Sequence, residues 1–214
     1  MLNKIKKFTE LPLSKKIQVV LNIYYRAKAQ TLYKILFKSF AKRSVIKNPL
    51  FLTPEFITIG ENVFIWDDAR IEGVSRYANE SFSPHIIIED GVSIQQRCHI
   101  TAADTLIIGK NSVLSFDVMI TNIDHNYEDV TLPVGKQPLR VQKTEIGENC
   151  FIGSGAKIQA GTILGKHCIV GTNTVVRGVF PDYCVIVGVP AKIIKKYNFK
   201  IKKWEKVYQI EKTK

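Results

Sequence analysis

A six-residue repeat of aliphatic side chains dominates the middle of this 214-residue chain. Fifteen blocks of six residues each open on Ile, Leu or Val, and the blocks fall into five triplets. The opening residues are Ile59, Ile65, Ile71; Ile88, Ile94, Ile100; Ile108, Leu114, Ile120; Ile146, Ile152, Ile158; and Leu164, Val170, Val176. A period of six fits neither a helix nor a regular strand alone. It fits a short strand plus a corner, so three blocks close one coil and the series predicts a parallel β-helix, an all-β solenoid of about five coils.

Three of the four cysteines follow the same repeat. Cys98, Cys150 and Cys168 each stand four residues after an opening residue, in a slot that is mostly occupied by small side chains at a tight corner. No C-x-x-C pair occurs, so these cysteines indicate core packing rather than a metal site. Buried, unpaired cysteines are typical of a reducing compartment, which favours a cytoplasmic protein.

The interruptions of the repeat point to the functional region. Eleven extra residues separate Ile71 from Ile88, and twenty separate Ile120 from Ile146. Insertions in a solenoid leave at corners and commonly carry function. The longer insertion, about residues 126–145, begins directly after the sequence Thr-Asn-Ile-Asp-His.

Charge divides the chain into three parts. Residues 1–50 hold twelve Lys and Arg against one acidic residue, and residues 192–214 hold nine Lys against two Glu, whereas residues 51–191 are mildly acidic. We therefore predict a basic helical N-terminal segment (1–50), a β-helix domain (51–191) and a basic C-terminal extension (192–214) that is a short helix. The N-terminal helix is expected to cap the solenoid, to lie on an anionic membrane surface, or both. No nucleic-acid-binding motif accompanies the charge, and no apolar run or signal peptide indicates a membrane span.

The chain contains four histidines, which differ in their position relative to the repeat. His125 stands at the root of the long insertion and is the candidate general base, with Asp124 or a backbone carbonyl as the group that orients it. His99 begins a corner and is a candidate lining residue, whereas His85 and His167 are expected to have no catalytic role. No two histidines have the spacing of a metal-binding pair, so we expect no metal.

Two motifs complete the pattern. One runs from Asn122-Ile123-Asp124-His125 to Ile146-Gly147-Glu148-Asn149-Cys150-Phe151-Ile152-Gly153-Ser154-Gly155, and the other is Val187-Gly188-Val189-Pro190-Ala191-Lys192-Ile193-Ile194. With these motifs the chain resembles the hexapeptide acyltransferase superfamily over roughly residues 57–195. The resemblance is greatest to the galactoside and maltose O-acetyltransferases and to the O-antigen or capsule O-acetyltransferases.

The resemblance implies a left-handed β-helix, a homotrimer with active sites between coils, and acetyl-coenzyme A as the acyl donor. His125 matches the catalytic base, and Ser154 matches the residue whose backbone N–H binds the thioester oxygen. The matches to coenzyme A contacts are Ser154, Thr172, Arg177, Gly178, Lys192 and Lys195. On the acceptor side, Gln95 replaces the Asn of the galactoside enzymes and Ala103 replaces their Asp, while Asp104 could supply the lost carboxylate.

The function expected from this resemblance is O-acetylation of a sugar hydroxyl in a surface polysaccharide, such as lipopolysaccharide, or in its precursor. N-acetylation of a nucleotide-linked amino sugar needs the same fold and base and stays open as an alternative. A non-catalytic β-helix that only assembles with partners is less favoured, because the sequences around His125 and Ser154 are both intact. The expected location is the cytoplasm, either free or peripheral on the inner face of the membrane.

Overall fold

The computed structural model describes residues 9–207, so the outermost parts of both basic ends, 1–8 and 208–214, lie outside the described residues. Helix α1 (Leu13–Lys28) continues through a π-helical turn (Ala29–Tyr33) into the short helix α2 (Lys34–Leu36), and 3-10 turns occur at Pro54–Phe56 and Val134–Lys136. The strands in chain order are β1 (Ser39–Phe40), β2 (Val45–Ile46), β3 (Phe51–Leu52), β4 (Ile57–Ile59), β5 (Phe64–Ile65), β6 (Arg70–Gly73), β7 (Arg76–Tyr77), β8 (Glu80–Ser81), β9 (His85–Ile88), β10 (Ser93–Ile94), β11 (His99–Ala102), β12 (Thr105–Ile108), β13 (Val113–Leu114), β14 (Met119–Thr121), β15 (Ile123–His125), β16 (Leu139–Val141), β17 (Thr144–Ile146), β18 (Phe151–Ile152), β19 (Lys157–Ile158), β20 (Ile163–Leu164), β21 (Ile169–Val170), β22 (Val175–Val176), β23 (Val179–Phe180), β24 (Cys184–Val187), β25 (Lys192–Asn198) and β26 (Lys203–Lys206).

Three parallel sheets form the sides of the solenoid, and each complete coil contributes one strand to each sheet. The first sheet has the order β1-β4-β9-β12-β17-β20-β23, and the second has the order β2-β5-β10-β13-β18-β21-β24 followed by β25 and β26. The third sheet has the order β3-β6-β11-β14-β19-β22. Apart from four antiparallel strand pairs, β7–β8, β15–β16, β24–β25 and β25–β26, the chain passes from one sheet to the next in turn, which makes the fold a parallel β-helix.

The register of these sheets confirms the hexapeptide series. In the first sheet Ile59 pairs with Ile88, Ile88 with Ile108, and the column continues through Ile146 and Leu164. All fifteen opening residues are at most 1% exposed. Aliphatic side chains of successive coils therefore stack inside the prism, and their burial supplies the main stabilisation of the solenoid.

The solenoid is longer than the five triplets predict. The additional inward residues are Phe40, Ile46 and Leu52 before the series, and Phe180 and Ile186 after it. The parallel ladder therefore begins at β1, inside the segment 1–50 that was expected to be helical. Seven residues instead of six separate Leu52 from Ile59, and this slip hides the first coil from a search for a strict period.

The prediction of a C-terminal helix is wrong. Residues 192–206 form the antiparallel hairpin β25–β26, which pairs with β24 at the end of the second sheet. Side chains of β25 alternate between exposed and half-buried, which is the period of a strand. The hairpin covers a sheet edge whose backbone groups would otherwise lack partners.

Both long insertions leave the solenoid at the same corner, between the third sheet and the first. The first insertion contains the hairpin β7–β8, which follows β6, and the second contains the hairpin β15–β16, which follows β14. Only β11 lies between β6 and β14 in the third sheet. Two strand spacings, about 10 Å, therefore separate the roots of the two insertions, which lets them meet.

Candidate active site

The two insertions and the third sheet enclose a cleft of about 330 Å³. Its lining residues are Val74, Tyr77, His99, Thr101, Met119, Thr121, Ile123, His125 and Leu139. Val74 and Tyr77 come from the first insertion, and the last three come from the second. The cleft is mostly apolar, with two imidazoles and one phenol as its titratable groups.

His125 is held by a chain of two hydrogen bonds. It ends β15, where it pairs across the hairpin with Leu139. Its Nδ1 lies 3.3 Å from Tyr77 Oη, and Tyr77 Oη lies 2.9 Å from the carbonyl oxygen of Gly135. The two rings meet edge to face, with centroids 5.3 Å apart.

This chain determines which nitrogen of His125 carries the proton. A phenol has one O–H, and the carbonyl oxygen of Gly135 can only accept it. Tyr77 Oη therefore accepts from His125, whose Nδ1 is the donor. In the neutral imidazole the second nitrogen, Nε2, is then unprotonated and able to accept a proton.

Asp124 does not orient His125. Successive side chains of a strand point to opposite faces, and Asp124 instead forms an ion pair with Arg177. Gln142 lies beside this pair, with its Oε1 3.5 Å from the same guanidinium. The orienting group is a side chain from the other insertion, Tyr77, rather than Asp124 or a backbone carbonyl.

His99 links the cleft to a second hollow. It lies on β11, and burial, followed by the nearby positive charge of Arg70, lowers the pKa of its imidazole. The second hollow, about 570 Å³, is lined by Arg97, His99, Asp117, Met119, Gly155, Lys157 and Asn173. Because His99 and Met119 line both spaces, one groove crosses the third sheet from His125 to Gly155.

Comparisons with known proteins agree with this architecture. A family described as "Bacterial transferase hexapeptide (six repeats)" matches residues 143–178. The putative lipopolysaccharide biosynthesis O-acetyl transferase WbbJ of Escherichia coli K12 is 32% identical over 172 residues, which cover 76% of this chain and 83% of WbbJ. This chain belongs to the bacterial hexapeptide-repeat transferases. It is an acyltransferase.

Other proteins also resemble the transferase in sequence or in structure. The probable acetyltransferase Rv3034c of Mycobacterium tuberculosis H37Rv is 30% identical over 159 residues, which cover 66% of this chain and 52% of that protein. AntD, an N-acyltransferase from Bacillus cereus solved with dTDP and 3-hydroxybutyryl-CoA, is 21% identical with a TM-score of 0.64, and the match covers 80% of this chain and 89% of AntD. A maltose O-acetyltransferase from Clostridium difficile 630 is 22% identical with a TM-score of 0.54, covering 85% and 84%. These two structures share the fold of this chain.

Ser154 lies at the far end of the groove, at the corner between the second and third sheets. Its carbonyl oxygen accepts from the N–H of Asn173 at 2.9 Å. Its own N–H has no acceptor within residues 9–207, and the same holds for Thr172, one coil further on. Two unpaired backbone donors therefore lie one above the other at this corner.

The remaining candidates for coenzyme A binding are dispersed along the transferase. Arg177 and Gly178 lie at the corner from which the insertions leave, and Gly178 has a positive φ of 108°. Lys192 and Lys195 lie on β25, the first exposed and the second half-buried. These four residues do not line the cleft around His125.

Of the three acceptor candidates, only His99 lines the cleft. Gln95 lies beyond β10, where its Nε2 donates to Ser93 Oγ at 3.4 Å. Asp104 is exposed in a tight turn, where its Oδ1 accepts from the N–H of Thr105 at 2.7 Å. Within the described part of the chain, no cluster of three or more His, Cys, Asp or Glu side chains could hold a metal ion.

Proposed function

We propose that this acyltransferase moves the acetyl group of acetyl-coenzyme A to a sugar hydroxyl of a surface polysaccharide or of its precursor, with His125 as general base. The observation that carries the proposal is the chain Gly135–Tyr77–His125, because it leaves Nε2 of the imidazole as an acceptor in the cleft. The similarity to a relative named as a lipopolysaccharide biosynthesis O-acetyl transferase favours a polysaccharide hydroxyl as the acceptor.

The reaction follows from these groups. Nε2 of His125 accepts the proton of the sugar hydroxyl while the hydroxyl oxygen attacks the thioester carbon. The unpaired N–H of Ser154 donates to the oxyanion of the tetrahedral intermediate. The carbon–sulfur bond then breaks, and the leaving thiolate takes the proton back from Nε2. Tyr77 accepts from Nδ1 throughout, so the positive imidazolium keeps a hydrogen bond.

We propose that the enzyme is a homotrimer of left-handed β-helices. His125 follows the C-terminal end of β14, whereas Ser154 precedes the N-terminal end of the neighbouring strand β19, so the two residues lie at opposite corners of the third sheet. A neighbouring copy packed along the groove would bring the His125 corner of one copy close to the Ser154 corner of the other. Coenzyme A would then contact Thr172 and Ser154 through their backbone N–H groups, and Arg177, Gly178, Lys192 and Lys195 near its phosphates.

We also propose peripheral contact with the inner face of the membrane through α1. The apolar stripe of α1 faces away from the coil, with Leu13, Ile17, Val20 and Tyr24 between 51% and 74% exposed. Within the described residues, α1 and α2 carry five Lys and Arg and no acidic residue. An exposed apolar stripe with flanking cations suits an anionic bilayer. No helix within residues 9–207 is long and apolar enough to cross a membrane.

The decisive assay follows coenzyme A release from acetyl-coenzyme A with a panel of sugars, lipid-linked oligosaccharides and nucleotide-linked amino sugars. We expect release with a hydroxyl acceptor and recovery of an O-acetyl ester. Release only with a nucleotide-linked amino sugar would establish N-acetylation instead. Release with none of the acceptors, by protein that consumes another acyl-coenzyme A, would refute the choice of donor.

A further inference from the structure

A polar groove lies between α1 and the first two coils, on the opposite side of α1 from its apolar stripe. It consists of two hollows of about 350 and 210 Å³ that meet at Arg26. On the helical wall every fourth residue lines it: Gln18, Asn22, Arg26 and Gln30. On the wall of the coil the lining residues are Lys42, Arg43, Ser44, Val45, Lys47, Phe64 and Trp66.

The larger hollow has an excess of positive charge. Arg26, Lys42 and Arg43 all line it. Arg43 is neutralised by Glu61, whose carboxylate lies 2.9 Å from its guanidinium. Among residues 9–207, the side chains of Arg26 and Lys42 have no acidic partner. Two uncompensated cations facing one hollow favour an anionic ligand.

Gln30 adds an unpaired hydrogen-bond donor at the same place. It lies in the π-helical turn Ala29–Tyr33, a rare conformation that is frequent at functional sites. Its Nε2 is buried and has no hydrogen-bond partner in the described part of the chain. A buried donor without a partner is unfavourable, and rotation of the amide toward an acceptor in the hollow removes that cost.

We propose that the larger hollow binds a phosphate group and that this phosphate belongs to an anionic membrane lipid. A guanidinium, an ammonium and an amide N–H match the several acceptor oxygens and the negative charge of a phosphodiester. The lipid assignment rests on the membrane contact proposed above. An interfacial helix buries its apolar face by about 5–10 Å, so the opposite side of α1 lies at the level of the lipid phosphates.

The smaller hollow suits the polar remainder of such a headgroup. Gln18 and Asn22 provide amide donors and acceptors, while Phe64 and Trp66 provide an aromatic wall. The ammonium of Lys47 lies 3.8 Å from the centroid of the Trp66 ring, so it holds the indole in place. Because the positive charge of Lys47 already lies over the Trp66 ring, a quaternary amine would be repelled there, and the amides favour a hydroxyl-bearing group such as glycerol.

The test compares the full-length protein with two doubly substituted variants. Arg26→Gln with Lys42→Gln removes two cations from the groove. Lys16→Gln with Lys34→Gln removes two cations from the same helical segment outside the groove, and is the matched control. The first arm measures the unfolding temperature against inorganic phosphate at constant ionic strength. The second measures sedimentation with phosphatidylglycerol–phosphatidylcholine vesicles and with phosphatidylcholine vesicles alone.

We expect phosphate to raise the unfolding temperature of the wild type and the control in a saturable way, but not that of the groove variant. Loss of two charges weakens attraction to an anionic surface in both variants. The groove variant should lose at least about fivefold more vesicle affinity than the control, the value of one further contact. Excess phosphate should also release the wild type from anionic vesicles.

Two other outcomes of these measurements would refute parts of the proposal. If groove variant and control behave alike in both arms, the phosphate site is refuted, and vesicle binding by both would leave the membrane contact standing. If phosphate acts through the groove but anionic vesicles bind no protein, the membrane contact and the lipid assignment are both refuted, and the groove takes a soluble phosphate ester.

Discussion

Replacing Tyr77 by Phe tests the hydrogen-bond chain behind the proposed base. The change removes one oxygen and keeps the ring that meets His125 edge to face. His125 Nδ1 then loses its acceptor, and the carbonyl oxygen of Gly135 loses its donor. The imidazole becomes able to carry its proton on Nε2, and the developing imidazolium loses a partner.

The expected loss follows from the length of the contact. A hydrogen bond to a charged group contributes about 1.5–3 kcal/mol. The 3.3 Å separation between Tyr77 Oη and His125 Nδ1 is just beyond the usual range for N–H···O, so we take the lower part of that interval. About 1.5–2 kcal/mol corresponds to a fall of about 10- to 30-fold in kcat/KM, most of it in kcat.

Two measurements check this prediction. The first compares the steady-state rates of Tyr77→Phe with those of Tyr127→Phe, an exposed tyrosine in the second insertion that should have no effect. The second records the ¹⁵N shifts of the His125 ring, which distinguish the tautomers. We expect the Nδ1–H form in the wild type and a shift toward Nε2–H in Tyr77→Phe. Full activity of the variant, or an Nε2–H imidazole in the wild type, would refute the reasoning.

Three further predictions concern the base and the core. His125→Ala should fold normally, because the side chain is exposed, and should lose at least about 100-fold in turnover. The control His167→Ala should keep the wild-type rate. Equal rates for the two variants would show that His125 is not the base. Ile100→Ala should lower the free energy of unfolding by about 2–5 kcal/mol in denaturant titrations, because Ile100 is fully buried, whereas Val130→Ala, at a 95% exposed site, should change it by less than about 0.5 kcal/mol. Burial raises the pKa of Cys98 to about 12, so the native thiol should resist alkylating reagents, which react with the thiolate, at pH 8. Since the thiol of the unfolded chain ionises near pH 8.5, the free energy of unfolding should fall as the pH rises above that value, and it should fall less in Cys98→Ala. A free energy of unfolding of the wild type that does not change above about pH 8.5 would contradict the burial of this thiol.

The regular part of the fold was predictable because each coil repeats one packing rule. A branched side chain every six residues fills the interior, and the slot four residues later is mostly occupied by a small side chain or a valine. Cys150 and Cys168, eighteen residues apart, accordingly lie one coil apart, since their neighbours Phe151 and Ile169 are paired. The strand register therefore follows from the residue types at the first and fifth positions of each six-residue block.

The ends of the solenoid were harder to predict because they depend on contacts rather than on the period. Phe40 continues an inward column but lies in the basic segment 1–50, and Leu52 continues another but is followed by a seven-residue step to Ile59. The C-terminal strand β25 contains four residues that are charged or amide-bearing, and its conformation is set by the open edge of β24. Tertiary pairing outweighs local propensity in both places.

The site was predictable in part for a similar reason. His125 could be singled out because it stands at a break in the repeat. Tyr77 could not, because it lies 48 residues earlier in a different insertion, and only the shared corner brings the two together. A useful signal would have been that both long insertions follow the third block of a triplet, so they must leave at one corner.

The most direct test of the proposed function is a crystal structure of the enzyme with coenzyme A. We predict that the thiol reaches the cleft between the insertions, with its sulfur within about 4 Å of Nε2 of His125, and that the thioester oxygen of an acetylated donor would face the N–H of Ser154. We also predict that the phosphates lie toward the basic end that includes Lys192 and Lys195. A coenzyme whose sulfur lies away from His125, in a groove that excludes the cleft, would refute His125 as the base.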